Sequence, residues 1–367
     1  MRSSAPARVA HVLPTDARRG AQVFAHELRQ ALDGRPDRHF TITLFAGPPA
    51  GEPIAADVRL GLGTDGHRRP RFHPGATLGL RRAVRGSDAV VAHGGEALLH
   101  AATATPWSVP VVYTKIGGSA QALRGPVHRA LWSAVTRRAR AIVAVSPEMA
   151  DEVGGLLGVD RARITLIPNG RDPSVFHPGT GRRERPHLVH VGALTADKRP
   201  EAFVRLVALL RAEGLDLDAS LVGAGPLLAS LRSPAAEAGV ALLGPRADIA
   251  ELLRQADLLV LTSRVEGMPG VLIEAGMSGL AVVTTRVPGA SLVVRDGETG
   301  SIVEAGDDAA LLAATRSLVL DPERRGEMGR AARDHCVRRF SLATVAASWQ
   351  EVLDGVLERP ARAQRRG

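Results

Sequence analysis

Two glutamates that flank a turn rich in glycine and proline form the most chemically informative segment of the chain. Glu266 and Glu274 are separated by seven residues, and Gly-Met-Pro-Gly occupies positions 267–270 between them. The segment directly follows the apolar run 258–261, which has the length and composition of a buried strand. Proline favours the first turn of a helix, and glycine lets a ligand approach the backbone closely. The N–H groups at such a helix start favour an anion such as phosphate.

The two carboxylates indicate what else the ligand carries. Acids beside an anion would repel it unless they accept hydrogen bonds from hydroxyl groups, and sugars supply hydroxyl groups. A nucleotide sugar, with a central diphosphate and a sugar at each end, satisfies both features. The alternative is that Glu266 caps a helix and Glu274 forms a surface ion pair. The segment by itself leaves both interpretations open.

The composition excludes several other classes of protein. The chain has 367 residues, of which 45% are hydrophobic, and this predicts a globular protein of about two domains. A single cysteine, Cys336, excludes an intramolecular disulfide and a cysteine-based zinc site. No apolar run approaches the roughly 18 residues of a membrane span, and the first residues lack the pattern of a secretory signal. We therefore expect a cytoplasmic protein.

The formal net charge of +9 comes almost entirely from arginine, because lysine occurs only at Lys115 and Lys198. Aromatic residues make up 3% of the chain and the arginines are scattered, so we expect no nucleic-acid partner. Peripheral contact with the inner face of a membrane is an alternative to a solvated chain end. That alternative depends on a basic tail formed by Arg359, Arg362, Arg365 and Arg366. The sequence does not indicate an oligomeric state.

Short apolar runs alternate with amphipathic segments along the chain, and this pattern predicts an α/β protein with parallel sheets. A Pro-Asn-Gly turn at 168–170 and a polar, basic stretch at 179–186 separate two such alternations. A final helix is predicted over 342–357. Strands are predicted at 8–13, 41–45, 89–92, 109–113, 141–145, 164–167, 187–191, 219–222, 258–261 and 281–284.

Three motifs that would indicate other chemistry are incomplete. The His-Glu pair at the start of 26–30 lacks the second histidine of a zinc protease motif. The glycines in 223–228 lack the third glycine of a dinucleotide fingerprint, which disfavours an oxidoreductase. The Asp-x-Asp at 216–218 enters a predicted strand, so its carboxylates would lie at the wrong end of a parallel sheet for a metal site. We therefore expect no metal.

The glutamate pair resembles the E-x7-E motif of retaining GT-B glycosyltransferases of the GT4 type. Other segments, in the same order as in that family, support the resemblance, which covers most of residues 165–306. They are Ile167-Pro168-Asn169-Gly170 (I-P-N-G), His190-Val191-Gly192 with Lys198 (V-G-R-L…K), Leu221 to Pro226 (V-G-x-G-P) and Asp296 to Gly300 (D-G-x-T-G).

The resemblance implies a fold with two Rossmann-like β/α/β domains that face each other across a cleft. The acceptor-binding domain would cover 1–178 and the nucleotide-sugar-binding domain 179–340. A C-terminal helix over 341–358 would cross back to the first domain.

The resemblance also assigns roles to individual positions. Glu266 would contact the donor hexose, Glu274 would hold the ribose hydroxyls, and Lys198 would neutralise the diphosphate. The family has an arginine where this chain has Ala193, so a second cation would have to come from elsewhere. Arg199 and Arg264 are the nearest substitutes. The backbone that contacts sugar and diphosphate would consist of Gly267, Met268, Pro269, Gly270, Val271 and Leu272.

Other predicted positions lie further along the chain in both directions. Gly244 and Arg246 would border the base of the nucleotide. Gly20 matches a flexible glycine loop of the first domain, where the family usually has two glycines. His93 follows a predicted strand and matches a family histidine near the donor sugar; a structural role is the alternative for it.

The resemblance implies a retaining, metal-independent hexosyltransferase that needs no cofactor. The donor would be a UDP- or GDP-linked hexose or N-acetylhexosamine, and the acceptor a hydroxyl group of a lipid, polysaccharide or small natural product. Glu266, His93 and Lys198 would be the catalytic residues. A nucleotide-sugar 2-epimerase and a non-catalytic nucleotide-sugar-binding protein are the alternatives.

Overall fold

The protein divides into two compact units in a computed structural model. The first unit contains Met1–Gly170 and Leu342–Gly367, and the second contains Arg171–Ser341. The structure describes residues 6–17, 20–33, 35, 37–47, 53–62, 72–117, 125–179 and 184–358. The predicted basic tail (Arg359, Arg362, Arg365 and Arg366) and residues 180–183 of the predicted linker lie outside these ranges.

The first unit alternates strands and helices. Its elements are β1 (Arg8–Thr15), α1 (Gly20–Leu32), β2 (Arg38–Phe45), β3 (Val58–Leu62), α2 (Pro74–Ala83), β4 (Ala89–His93), α3 (Gly95–Ala104), β5 (Val111–Lys115), α4 (Pro126–Arg137), β6 (Ala139–Ala144), α5 (Pro147–Leu157) and β7 (Ile164–Leu166).

The second unit repeats the alternation, and a last helix returns to the first unit. The elements of the second unit are β8 (His187–Val191), α6 (Pro200–Ala212), β9 (Asp218–Val222), α7 (Leu228–Ala238), β10 (Ala241–Gly244), α8 (Ile249–Arg254), β11 (Leu258–Leu261), α9 (Gly270–Met277), β12 (Ala281–Thr285), α10 (Ala290–Val293), β13 (Gly300–Val303), α11 (Asp308–Leu320) and α12 (Pro322–Phe340). Helix α13 (Leu342–Glu358) belongs to the first unit.

The described strands of the first unit form a parallel sheet in the order β3-β2-β1-β4-β5-β6-β7. Helices α1 and α13 cover one face of this sheet. Phe24 and Leu28, four residues apart on α1, share a buried cluster with Trp349 of α13. The four-residue spacing of apolar residues on α1 therefore produces one buried face.

The described strands of the second unit form a parallel sheet in the order β10-β9-β8-β11-β12-β13. Leu188, Leu258 and Val260 of the central strands pack with Phe203 and Val207 of α6 in one buried cluster. The predicted α/β class is confirmed. Because each sheet is parallel, the loops at the carboxyl ends of its strands all lie at one edge of that sheet. Open α/β sheets bind ligands at this edge.

The chain passes from the first unit to the second at Arg171, whereas the sequence placed the boundary at residue 178. The earlier transition has a local cause. The N–H group of Arg171 donates a hydrogen bond to the carbonyl of Phe340, and the residues that follow pack on the second unit as far as Gly179, against Arg254.

None of the helices in the described ranges combines the length and the apolar character needed to cross a bilayer.

Candidate functional site

Helix α9 presents an uncapped N-terminus just after strand β11. It begins at Gly270, directly after Pro269, and Gly279 beyond its end adopts the left-handed conformation with φ +76°. Pro269 provides no side-chain cap, and the N–H groups of Gly270 and Val271 have no hydrogen-bond partner among the described residues. A helix end of this kind carries partial positive charge and favours an anion.

Glu266 precedes this helix start and is held by two neighbours. Its Oε1 lies 2.6 Å from Nζ of Lys198 and accepts a hydrogen bond of 2.8 Å from Oγ of Ser263. Lys198 also donates to the carbonyl of Val265, at 3.1 Å. The structure thus brings together Glu266 and Lys198, two of the three residues predicted to be catalytic. Both side chains keep limited exposure, 15% and 20%, so a ligand can reach them.

Close backbone contacts hold the loop that carries Lys198. A side chain on Gly223 would overlap the carbonyl oxygen of Gly192, so the turn after β9 packs directly on the turn after β8. Oγ1 of Thr262 donates to the carbonyls of Lys198 and Arg199, at 2.8 Å each. The glycines at 223–225 therefore serve packing, which agrees with the broken dinucleotide fingerprint.

Glu274 lies in the second turn of α9 and pairs with an arginine that the sequence did not point to. Nε of Arg171 lies 2.6 Å from Oε1 of Glu274, and the two side chains are only 3% and 14% exposed. The guanidinium also contacts the helix start, because a side chain on Gly270 would meet Nη2 of Arg171 at 2.5 Å. Arg171 thus places a buried positive charge beside both Glu274 and the N-terminus of α9.

No local spacing connects Arg171 to the glutamates, since it is 103 residues away from Glu274. The one available clue is its position directly after the I-P-N-G segment, 167–170, which the resemblance had already singled out. Only the folded structure shows that Arg171 belongs to the second unit and pairs with Glu274.

The structure separates the predicted arginines by what they contact. Arg199 is buried and its Nη2 donates to both carboxylate oxygens of Asp308, at 2.8 and 3.0 Å. Arg246 is exposed and forms a two-point pair with Asp248. Arg264 is exposed and its guanidinium has no ion-pair partner within the described ranges.

The remaining predicted donor residues differ in what they offer a ligand. Gly267 and Val271 are half-buried, whereas Met268 and Leu272 are buried, with exposures of 6% and 0%. The Leu272 N–H donates to the carbonyl of Pro269, at 3.2 Å, so its amide is already engaged. Gly244 has φ +66° and its carbonyl accepts a hydrogen bond from another turn of the same sheet edge.

His93 and Gly20 belong to the first unit and are described there. His93 ends β4, and its Nε2 lies 3.0 Å from Nδ1 of His11. Burial lowers the pKa of His93 from 6.5 to about 3. Gly20 begins α1 and is exposed, and nothing lies within 4 Å of where its side chain would be. Packing therefore does not require glycine at position 20.

The described ranges contain no cluster of three or more His, Cys, Asp or Glu side chains that could hold a metal ion. Asp216 of the Asp-x-Asp motif forms an exposed pair with Arg185, at 2.9 Å, and Asp218 begins β9. Metal independence stays a prediction.

Comparisons with known proteins agree with this architecture. Residues 18–175 match the family model described as Glycosyltransferase Family 4, and residues 185–321 match the model described as Glycosyl transferases group 1. D-inositol 3-phosphate glycosyltransferase of Paenarthrobacter aurescens is 30% identical over 241 residues, or 59% of this chain and 58% of that protein. The chain thus spans little more than half the length of that relative. Glycogen synthase of Mycobacterium tuberculosis is 30% identical over 317 residues, or 82% of this chain and 72% of that protein.

One solved structure shows the same fold over nearly the whole chain. HepE of Anabaena, crystallised in complex with UDP and glucose, has a TM-score of 0.79 at 19% identity and covers 95% of this chain and 100% of its own. The likeness concerns the fold, with its two parallel-sheet Rossmann-like parts. From the two family models, the relatives and this fold together, the chain belongs to the group 1 glycosyl transferases of glycosyltransferase family 4, which have the GT-B fold.

Proposed function

We propose that this protein is a retaining, metal-independent glycosyltransferase that moves a hexosyl or N-acetylhexosaminyl group from a UDP- or GDP-linked sugar to an acceptor hydroxyl, without a cofactor. One observation carries the proposal. Glu266 and Glu274 stand on either side of the uncapped start of α9, and each is paired with a cation, Lys198 and Arg171. The start of α9 offers partial positive charge to a diphosphate, and the glutamates offer carboxylate oxygens to sugar hydroxyls.

The N–H groups of Gly270 and Val271 are suited to the diphosphate, because they lie at the positive end of α9 and lack partners among the described residues. Glu274 would accept hydrogen bonds from the ribose and Glu266 from the hexose. HepE, which shares the fold, was crystallised with UDP and glucose, and this supports a nucleoside diphosphate donor.

The charges at the site explain why a further cation is needed. Lys198 cancels Glu266 and Arg171 cancels Glu274, so these four side chains together are neutral. A leaving nucleoside diphosphate is strongly anionic and gains charge as its bond to the sugar breaks. Arg264 is exposed and lies two residues before Glu266 in the chain, and we assign the remaining charge to it. Fixed cations and oriented N–H groups of this kind stabilise a leaving group without a metal ion.

In the proposed reaction the acceptor oxygen attacks the anomeric carbon on the same face from which the diphosphate leaves. The bond from the anomeric carbon to the phosphate oxygen breaks as the new glycosidic bond forms. The acceptor hydroxyl gives its proton to the departing phosphate oxygen. Glu266 holds the hexose and stabilises the positive charge that develops on its ring.

A thermal-shift panel of UDP, GDP, ADP and their sugars tests donor binding. A ligand present at 100 times its Kd stabilises the native state by about 2.7 kcal/mol. One or two nucleotides should raise the unfolding temperature, and the variant Glu274→Ala should weaken the response. If no nucleotide shifts the transition, the proposed site is wrong.

Transfer is then tested by mass spectrometry of acceptor extracts incubated with the donor that binds. Glu266→Ala should lower turnover about 10²–10³-fold, the usual effect of removing a preorganised electrostatic group. Glu304→Ala is the matched control, since Glu304 forms an exposed pair with Arg286. Equal turnover in the Glu266 and Glu304 variants would contradict the assignment, and conversion of the donor without any transfer product would indicate an epimerase.

A further inference from the structure

Arg199 has a backbone conformation that arginine disfavours. Its φ and ψ are both +50°, in the left-handed region, and within the described ranges it is the one residue other than glycine with a positive φ. Because the Cβ atom crowds the following carbonyl oxygen there, a non-glycine residue populates this region about 5- to 30-fold less than glycine. Pro200 follows directly, and a residue before proline favours an extended backbone.

The position of Arg199 at the start of α6 does not explain this conformation. The residue before a helix usually has an extended backbone and a Ser, Thr, Asp or Asn side chain that bonds the first N–H groups. The side chain of Arg199 forms no such capping hydrogen bond. The cause therefore lies in contacts with other parts of the second unit.

The side chain of Arg199 is anchored on a helix that lies far away in the chain. Its Nη2 donates to both carboxylate oxygens of Asp308, the first residue of α11, at 2.8 and 3.0 Å. Nε and Nη1 are buried without a partner among the described residues, so this contact alone fixes the guanidinium. The arginine side chain is only 6% exposed, which strengthens the ion pair by shielding it from water. The pair offsets the cost of the left-handed turn.

The turn at Arg199 packs against the loop that leads to Glu266. Oγ1 of Thr262 lies 2.8 Å from the carbonyl oxygens of both Lys198 and Arg199. The N–H group of Arg264 donates to the carbonyl of Asp197, at 2.7 Å. Residues 197–199 therefore follow residues 262–264 closely, and the backbone direction at Arg199 sets how the two segments meet.

Lys198 has two carboxylates within reach, and its backbone decides between them. Its Nζ lies 2.6 Å from Oε1 of Glu266 and 3.8 Å from Oδ2 of Asp197. The side chain of Asp197 is 48% exposed, whereas that of Glu266 is 15% exposed. A lysine side chain is a flexible four-carbon stem that does not fix its own direction. A change of backbone direction after Lys198 would therefore release Nζ from Glu266 toward Asp197 and solvent.

We propose that Arg199 is a positioning residue: anchored on Asp308, it holds the left-handed turn that places Nζ of Lys198 beside Glu266. Arg199 then acts on the reaction through Lys198 and does not supply a second cation to the donor. The link to the reaction rests on the proposed glycosyl transfer. The placement of Lys198 does not depend on that function.

Two substitutions at position 199 separate the role of the backbone from the role of the charge. Arg199→Ala and Arg199→Gly both remove the guanidinium, but only glycine adopts the left-handed region without cost. If Arg199 acts through its backbone, alanine displaces Lys198 and glycine keeps it in place. If the charge of Arg199 acted on the ligand, both variants would lose the same interaction.

NMR of the substrate-free protein labelled with carbon-13 lysine measures the placement of Lys198. Lysine occurs only at Lys115 and Lys198, so each gives one Cε signal, and Lys198→Arg assigns them. Glu266→Gln gives the position of the Lys198 signal without its ion pair. We expect this signal to move toward that position in Arg199→Ala and to stay at the wild-type position in Arg199→Gly. Equal signals in the two Arg199 variants, or a larger displacement in Arg199→Gly, would overturn the proposal.

The anchor is tested by removing its carboxylate. Asp308→Ala should displace the Lys198 signal as Arg199→Ala does, and adding Arg199→Gly should return it, because glycine needs no anchor. Arg205→Ala is the matched control, since Arg205 binds the same carboxylate at 3.0 Å but is 55% exposed. A double variant that stays displaced, or a control displaced as far as Asp308→Ala, would overturn the anchoring role. If Arg199→Ala does not fold, Asp308→Ala and the double variant still decide.

Kinetics complete the test once a donor is known. Arg199→Ala should lower kcat about tenfold, in line with the preference against a left-handed backbone, and should change the KM for the donor less, because Lys198 acts on charge that develops on the leaving group. Arg199→Gly should recover most of the kcat. Equal kcat values in the two variants, or a KM raised equally in both, would overturn the positioning role. Should the spectra behave as expected while no transfer is found, the proposed function fails and the placement of Lys198 stands.

Discussion

The buried pair between Arg171 and Glu274 offers a quantitative test of the site. Arg171→Met keeps an apolar stem but removes the guanidinium, which leaves the Glu274 carboxylate 14% exposed and without its partner. Breaking a buried pair by removing one partner costs about 3–5 kcal/mol. Because Glu274 keeps some contact with solvent, we expect the lower end, about 3 kcal/mol. For a unit of this size, that loss should lower its unfolding temperature by about 6–12 °C.

A double-mutant cycle in urea isolates the interaction. Glu274→Gln removes the charge that Arg171→Met leaves unpaired, so the double variant should be more stable than Arg171→Met alone. We expect a coupling energy of about 1–3 kcal/mol. The matched control is the pair Arg185–Asp216 of the same unit, whose side chains are 60% and 68% exposed. Its coupling should stay within about 0–1 kcal/mol.

The same variants test the link to the donor. Because Arg171 contacts both Glu274 and the start of α9, Arg171→Met should weaken nucleotide binding measured by titration calorimetry. A coupling energy below about 0.5 kcal/mol, no larger than that of the exposed pair, would refute the argument from burial. Full nucleotide affinity in Arg171→Met would refute the placement of its charge at the ligand.

Three further predictions concern the donor cation, pH and packing. Arg264→Ala should raise the KM for the donor about tenfold, the value of one charged hydrogen bond. The control Arg286→Ala should leave that KM unchanged, because Arg286 forms an exposed pair with Glu304. Equal effects of the two variants in steady-state assays would contradict the choice of Arg264. Burial lowers the pKa values of His11, His39 and His93, so the unfolded state binds more protons below pH 6.5 and stability falls from there toward about pH 4. The free energy of unfolding, measured in urea at each pH, should change by up to about 1.4 kcal/mol per pH unit for each histidine. A free energy that does not change with pH would argue against neutral rings. Gly223 has φ +147°, and Gly223→Ala would place a side chain against the carbonyl of Gly192, which should lower the free energy of unfolding by about 3 kcal/mol or more. The control Gly155→Ala has open space around it and should not destabilise the protein. Chemical denaturation compares the two variants.

The strands that the sequence did not predict share a position in the sheets. These strands, β3, β10 and β13, are all edge strands. An edge strand has a neighbour on one side only, so it is short and half-exposed and lacks the continuous apolar run of a central strand. In β3 no residue is fully buried, and the sequence pattern there is correspondingly weak.

Local spacing determined the parts of the site that lie close together in the chain. The proline and glycine at 269–270 were enough to place the start of helix α9, because a helix start depends on neighbouring residues. The paired glutamates on either side of its start follow from that placement. The α/β class likewise follows from the alternation of apolar strands with amphipathic helices.

Tertiary structure alone decided which charges meet. Arg171 reaches Glu274 across 103 residues, and Arg199 is bound to Asp308 across 109 residues. Uncharged groups meet in the same way, because His11 bonds His39 and His93, which are 28 and 82 positions away. The periodicity of a sequence specifies which face of a strand or helix is buried. The order in which parallel strands assemble specifies which of those faces become neighbours, and that order is set by packing across the whole sheet.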